Sequence, residues 1–138
     1  MVEVVLSGNL IFNDKQEIFL LFRKEHQFYE TPGGTVEEVQ EKINSKVLRA
    51  TARRELLEEV AGIEKIISMK YFTSVDFFIP DGRSARAHKF ITKVIGDLSA
   101  GENLFDKEKS KWLKVAELGK YPLSPDLKIL LPKLKNLV

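Results

Sequence analysis

The sequence predicts an α/β fold in which a mixed β-sheet lies between helices. Three observations carry that prediction. Two runs rich in β-branched and aliphatic residues open the chain, at 2–12 and 17–23, around the turn Asn13-Asp14-Lys15-Gln16. A proline-free stretch dominated by Leu, Ala, Arg and Glu follows Asn44, and a second periodic stretch follows Ser124-Pro125. Between these two helical stretches, residues 64–79 and 84–95 return to strand composition around Pro80-Asp81-Gly82-Arg83.

Taken in order, the first two runs predict a β-hairpin. Ile18, Phe19, Leu20, Leu21 and Phe22 are apolar on both faces, so the second strand belongs at the centre, covered on both sides. Arg23 and Lys24 end it with two cations. Phe28 and Tyr29 precede a Pro32-Gly33-Gly34 turn, and His26 reads as a surface residue with no second ligand at metal-binding spacing. Residues 37–46 are polar, with Val39 and Ile43 four apart, which predicts an extra helical turn or a flap near the site.

The first helix has Asn44-Ser45 as its cap, and Gly62 is expected to close it. Leu48, Ala52, Leu56 and Val60, with Leu57 beside them, form its apolar stripe. Residues 64–79 and 84–95 pair as a long hairpin, with Asp76 and Arg86 as a cross-strand pair and His88 in a core or cross-strand role. Residues 96–111 read as a polar loop before a late strand at Lys111-Trp112-Leu113. In the closing helix, Leu127, Leu130, Leu131, Leu134 and Leu137 keep helical spacing, while Pro132 is expected to kink or shorten it.

Composition narrows the functional classes. A chain of 138 residues, 43% apolar and 30% charged, can bury a core as one domain. The formal charge of +2 is too small to argue for nucleic acid or an anionic membrane as partner. Cysteine is absent, which removes disulfides and thiolate metal sites. No basic, apolar leader opens the sequence, and no apolar run approaches the ~20 residues of a membrane span, so a cytoplasmic location is expected.

Chemistry concentrates between Thr31 and Ile63. Glu55, Glu58 and Glu59 stand at i, i+3 and i+4 on the first helix, crowding three carboxylates onto one face. A hard divalent cation that takes oxygen ligands converts that repulsion into a site. The Pro-Gly-Gly turn upstream can bring bare backbone close to an anion or a metal.

The constellation of Gly34, then Arg54-Glu55-Leu56-Leu57-Glu58-Glu59, then Gly62-Ile63 resembles the signature of the MutT-like Nudix hydrolases. In that signature a glycine precedes a first glutamate, and an R-E-U-x-E-E-x-G-U core follows, U being a bulky aliphatic. Two features differ. Positions 35–53 make nineteen residues between Gly34 and Arg54 where the pattern has thirteen, so the position of the first glutamate falls on Gln40 or Lys46. One extra residue, within Val60-Ala61, precedes the glycine.

The resemblance implies an α/β/α sandwich, one Nudix hydrolase domain over 1–138, and Mg²⁺ or Mn²⁺ as cofactor. It implies Glu55, Glu58 and Glu59 as metal ligands and catalytic residues, with a Gly33 or Gly34 carbonyl completing the shell. Glu55 is also a candidate general base, beside the downstream carboxylates Glu102, Asp106 and Glu108. Arg54 is expected to tie the loop to the helix through Glu37, Glu38 or Glu41. Arg23, Tyr29, Gly33 and Gly34 are the implied substrate contacts.

The implied reaction is hydrolysis of the diphosphate linkage in a nucleoside diphosphate joined to another moiety, in a protein that can pair as a homodimer. The alternative is a non-catalytic Nudix-like domain that binds a nucleotide or a protein partner, which the altered spacing favours. Prenyl-diphosphate isomerisation would want a nucleophilic cysteine, and the chain has none. Nucleic-acid processing would want a basic stripe.

Overall fold

The computed structural model describes residues 2–138. In chain order it contains β1 (Val4–Leu10), β2 (Glu17–Arg23), β3 (Phe28–Glu30), β4 (Gly33–Thr35), α1 (Ser45–Glu59), β5 (Val60–Phe78), β6 (Ser84–Ala100), β7 (Phe105–Lys114) and α2 (Pro125–Leu137). Short 3₁₀ turns cover Gln40–Lys42 and Val115–Lys120.

The strands form two sheets, one ordered β4-β1-β6-β5 and the other β3-β2-β7. β1 runs parallel to β6 and antiparallel to β4, so the larger sheet is mixed. The predicted hairpin of the first two strands survives only at its turn. Phe12 bridges Ile18, and the Asn13 side chain accepts the N–H groups of Lys15 and Glu17 at 3.0 and 3.1 Å. Beyond that point β1 leaves for β4 and β6 while β2 pairs with β3 and β7. The later hairpin forms as predicted, with β5 antiparallel to β6. Asp76 and Arg86 pair across it at 2.7 and 3.0 Å, and His88 Nδ1 lies 2.9 Å from the Tyr71 hydroxyl.

β2 is central and covered on both sides, as its apolar run requires. Ile18, Leu20 and Phe22 pack with Leu127, Leu130 and Leu134 of α2. Phe19 and Leu21, on the opposite face, pack with Leu56 and Val60. The helices therefore lie on opposite sides of the strands. Each fully buried aliphatic or aromatic side chain stabilises this arrangement by roughly 1.5–3 kcal/mol.

α1 begins where Asn44 accepts the Val47 N–H at 2.9 Å. Leu48, Ala52 and Leu56 are buried, but Leu57 is 49% exposed and lies outside the stripe. The helix stops at Glu59, not at Gly62, and the chain passes directly into β5. Gly62 instead serves the crossing of β5 and β6. Its φ is +90°, and an added Cβ would overlap the Asp97 carbonyl.

Three further expectations change. Residues 96–111 are mostly strand: β6 continues to Ala100 and β7 starts at Phe105. Polar composition misleads there because Leu98, Ala100 and Phe105 are buried while most polar neighbours face outward. The segment 37–46 contains a turn, but it is no flap over the acids. Gln40 Nε2 donates to the Val2 carbonyl at 2.8 Å, and Ile43 packs beside Leu48 at the start of α1. Glu55 lies ten residues further on, about 15 Å along a helix. Finally, α2 runs past Pro132 to Leu137 and is not shortened.

Candidate active site

Three polar anchors fix the Pro-Gly-Gly loop against α1. Asn9, buried in β1, donates to the Pro32 carbonyl at 3.1 Å and to the Ala52 carbonyl at 2.9 Å. Its own side-chain oxygen accepts the Thr92 hydroxyl at 2.8 Å. Ser7 donates to the Leu48 carbonyl at 2.7 Å. The loop then pairs with β1, Gly34 opposite Ser7 and Gly33 opposite Gly8. A Cβ at Gly33 would stand 2.7 Å from the Ser7 carbonyl oxygen, and one at Gly34 would overlap the Glu55 carboxyl. At Gly33 only bare backbone fits, whereas at Gly34 a methyl group would have to displace the Glu55 side chain.

The three predicted carboxylates take different positions. Glu59 is 4% exposed, and its Oε1 accepts the Gly33 N–H at 2.8 Å. Burial pushes its pKa up to about 9, against the lowering effect of the Gly33 N–H; Glu30 and Glu55 add repulsion and Arg23 opposes them. Glu55 lies against Gly34, half-buried. Glu58 faces outward with its side chain 54% exposed. Residues i and i+4 share a helix face, so Glu55 and Glu59 turn toward the loop while Glu58 flanks them. Among the described residues, no three acidic or histidine side chains converge into a ready-made metal cluster.

Arg54 corrects a further expectation. Its Nη2 lies 3.4 Å from Glu55 Oε1 and its Nε 3.9 Å from Glu58 Oε1. Its ion pairs among the described residues are thus on its own helix, not with Glu37, Glu38 or Glu41. The lengthened loop carries those three residues toward the start of α1.

A cleft of about 440 Å³ opens beside the loop. Arg23, Gly33, Gly34, Phe28 and Phe77 line it, together with the buried Lys89 and Asp126. Lys89 donates to Thr31 Oγ1 and Asp126 Oδ2, both at 2.7 Å, and Ser124 donates to Asp126 Oδ1 at 2.7 Å. Burial pushes the Asp126 carboxyl up. The Lys89 charge, with hydrogen bonds from Lys89, Ser124 and its own backbone N–H, outweighs that and holds it below the usual range. A second hollow, of about 410 Å³, lies near Asn44, Tyr71 and His88 and is lined by no carboxylate.

Arg23 lines the cleft; Tyr29 does not. Tyr29 is 5% exposed and packs edge-on against Phe22 and Tyr121, with centroids 4.9 and 5.7 Å away. Strand alternation sends its neighbours Phe28 and Glu30 to the cleft instead. Neither the helix carboxylates Glu55, Glu58 and Glu59 nor the downstream Glu102, Asp106 and Glu108 are among the residues that line the cleft; Glu55 and Glu59 reach it only through their contacts with Gly34 and Gly33. Asp106 is engaged in β7, accepting the N–H groups of Glu108 and Lys109 at 3.0 Å. Glu102 follows Gly101, whose N–H donates to the Glu59 carbonyl at 2.7 Å.

Sequence reasoning missed Asn9, Phe28, Glu30, Lys89 and Asp126 as cleft or scaffold residues. Alternation about a buried Tyr29 would have found Phe28 and Glu30. Nothing local distinguishes Lys89 from a solvated strand lysine, or Asp126 from an ordinary first-turn acid.

A model described as the NUDIX domain matches residues 5–134. The chain belongs to the Nudix family. The assignment carries the general activity with it, that of a pyrophosphohydrolase acting on acid anhydrides. No curated protein matches the chain. Among solved structures, it is similar to the MutT protein from Methanosarcina mazei Go1, at 20% identity and TM-score 0.76, covering 97% of this chain and 94% of that one. The NUDIX domain of Shewanella oneidensis NrtR, solved with ADP ribose, is 17% identical with TM-score 0.72, covering 100% and 90%. The E. coli dihydroneopterin triphosphate pyrophosphohydrolase is 18% identical with TM-score 0.71, covering 100% and 98%. At these identities the likeness is one of Nudix fold. Among the described residues, no helix is long and apolar enough to cross a membrane.

Proposed function

We propose that this Nudix protein hydrolyses the diphosphate linkage of a nucleoside diphosphate joined to another moiety, with Mg²⁺ or Mn²⁺ as cofactor. One observation carries the proposal: Glu59 is a buried carboxylate, tied to the Pro-Gly-Gly loop by Gly33, with no cation within ion-pair distance among the described residues. A buried carboxylate in that state needs a proton or a cation. With Glu55 beside it, the donor set is all oxygen, which suits a hard divalent ion.

Glu55, Glu58, Glu59 and a Gly33 or Gly34 carbonyl would hold the ion. Bound there, it would neutralise phosphoryl oxygens and lower the pKa of water. The residues supply the rest. Arg23 meets phosphoryl charge at the cleft edge, and Phe28 and Phe77 offer aromatic faces to an apolar or planar moiety. Glu55, half-buried against Gly34, would take a proton from attacking water, while Asp106 is engaged by backbone N–H groups.

A second reading, a nucleotide-binding domain without turnover, draws on the outward position of Glu58 and the lengthened loop. A panel of nucleotide diphosphate derivatives incubated with Mg²⁺ or Mn²⁺, with products identified by mass, separates the two. Metal-dependent cleavage between the phosphorus atoms supports hydrolysis; tight binding without product supports the second reading.

A further inference from the structure

β2 and β3 pair so that Leu21 faces Glu30 and Arg23 faces Phe28. Arg23 and Glu30 are diagonal neighbours on the cleft side of that pair. Glu30 grips the guanidinium in a fixed way: Oε1 takes Nε, and Oε2 takes Nη2 at 3.1 Å. The Phe105 ring covers one face of the guanidinium, 4.9 Å from its central carbon. The two side chains are 21% and 18% exposed, so the pair is held at the cleft edge rather than waving in solvent.

A guanidinium has five N–H donors in a rigid plane. Glu30 uses the side of that fork, through Nε and Nη2. The end of the fork, formed by Nη1 and the remaining Nη2 hydrogen, has no hydrogen-bond partner among the described residues. Arg23 can therefore keep Glu30 and still offer two parallel donors to an anion.

We infer that Glu30 is a positioning residue: it orients Arg23 so that the free end of the guanidinium meets a phosphoryl oxygen of the substrate. The inference rests on the proposed hydrolase function for its kinetic consequences. The opposite arrangement, in which Glu30 and substrate compete for the same donors, makes Glu30 a lock. The two differ in sign.

The test uses wild type, Arg23→Ala, Glu30→Ala, Glu30→Gln and the double variant Arg23→Ala/Glu30→Ala. Two quantities are measured: affinity for inorganic pyrophosphate by calorimetry, and kcat and KM for whichever diphosphate derivative is turned over. Losing the orientation of a charge-assisted bond is expected to weaken pyrophosphate binding and raise KM roughly 5- to 20-fold in Glu30→Ala, with kcat little changed. Glu30→Gln, which keeps one acceptor and the side-chain volume, should fall between and serves if the alanine variant does not fold. In the Arg23→Ala background, Glu30→Ala should change nothing further.

Tighter binding by Glu30→Ala overturns the proposal in favour of a lock. Additive losses in the double variant, or no pyrophosphate binding by the wild type, also overturn it. Arg23- and Glu30-dependent pyrophosphate binding with no turnover of any substrate supports the positioning role and contradicts the hydrolase reading alone.

Discussion

The carboxyl group of Glu55 packs directly on the backbone of Gly34, in the space a Cβ would occupy. Nineteen residues separate Gly34 from Arg54, at positions 35–53, and the contact forms nonetheless. The extra length is absorbed at the other end of α1, where Ile43 packs beside Leu48 and Gln40 reaches Val2. The insertion thus changes the connection without moving the loop away from the helix.

Gly34→Ala tests that contact. The methyl group must push Glu55 aside, because the loop backbone is pinned by β1 and cannot retreat. Turnover should fall roughly 10-fold or more, while the unfolding midpoint moves little, since Glu55 is a movable side chain. Steady-state assays beside thermal melts separate the two effects. A fully active Gly34→Ala protein would show that the Glu55 position is irrelevant to catalysis.

The Lys89–Asp126 pair sets a prediction for pH. The folded-state pKa of Asp126 lies below its ordinary value, so its stabilisation is present above the unfolded pKa of about 4. It is lost as pH falls through the lower folded value. Asp126→Asn should remove that acid-range contribution and leave Lys89 buried without its counter-charge, costing roughly 3–5 kcal/mol at neutral pH. Lys89→Met with Asp126→Asn should recover much of it. Urea unfolding from pH 7 to 3 measures both, and an Asp126→Asn protein with unchanged stability would contradict the account.

Leu56 and Leu57 stand side by side in sequence and oppositely in space. Leu56 is fully buried against Phe19 and Leu21, whereas Leu57 is 49% exposed. Leu56→Ala should cost about 2–5 kcal/mol; Leu57→Ala should stay within roughly 0.5 kcal/mol. Denaturant titration of the two variants checks the contrast, and equal losses would place the helix in a different rotation.

Much of this was legible in the sequence, for identifiable reasons. β2 spans the predicted Glu17–Arg23, because a short apolar run bounded by a turn signal suits a strand covered on both faces. Asn44 caps α1 as its position before Val47 suggested. Other features depend on distant partners and have no local signal. β1 and β2 part into different sheets because β1 finds β6 far along the chain. Gly62 looked like a helix stop, yet its conformation answers to Asp97 across the hairpin. The acidic triplet was legible as a motif, but its division into one buried, one half-buried and one exposed side chain depends on where Gly33 and Gly34 press against the helix.

The central claim is that the buried Glu59, held by Gly33, serves metal-dependent cleavage. Wild type and Glu59→Gln should be compared on a nucleotide diphosphate panel with Mg²⁺ and with a chelator, following product mass, with thermal melts run alongside. The account predicts chelator-sensitive cleavage at the diphosphate bridge by the wild type, lowered at least roughly 100-fold in a folded Glu59→Gln protein. Undiminished cleavage by that variant, or cleavage indifferent to the chelator, would contradict it.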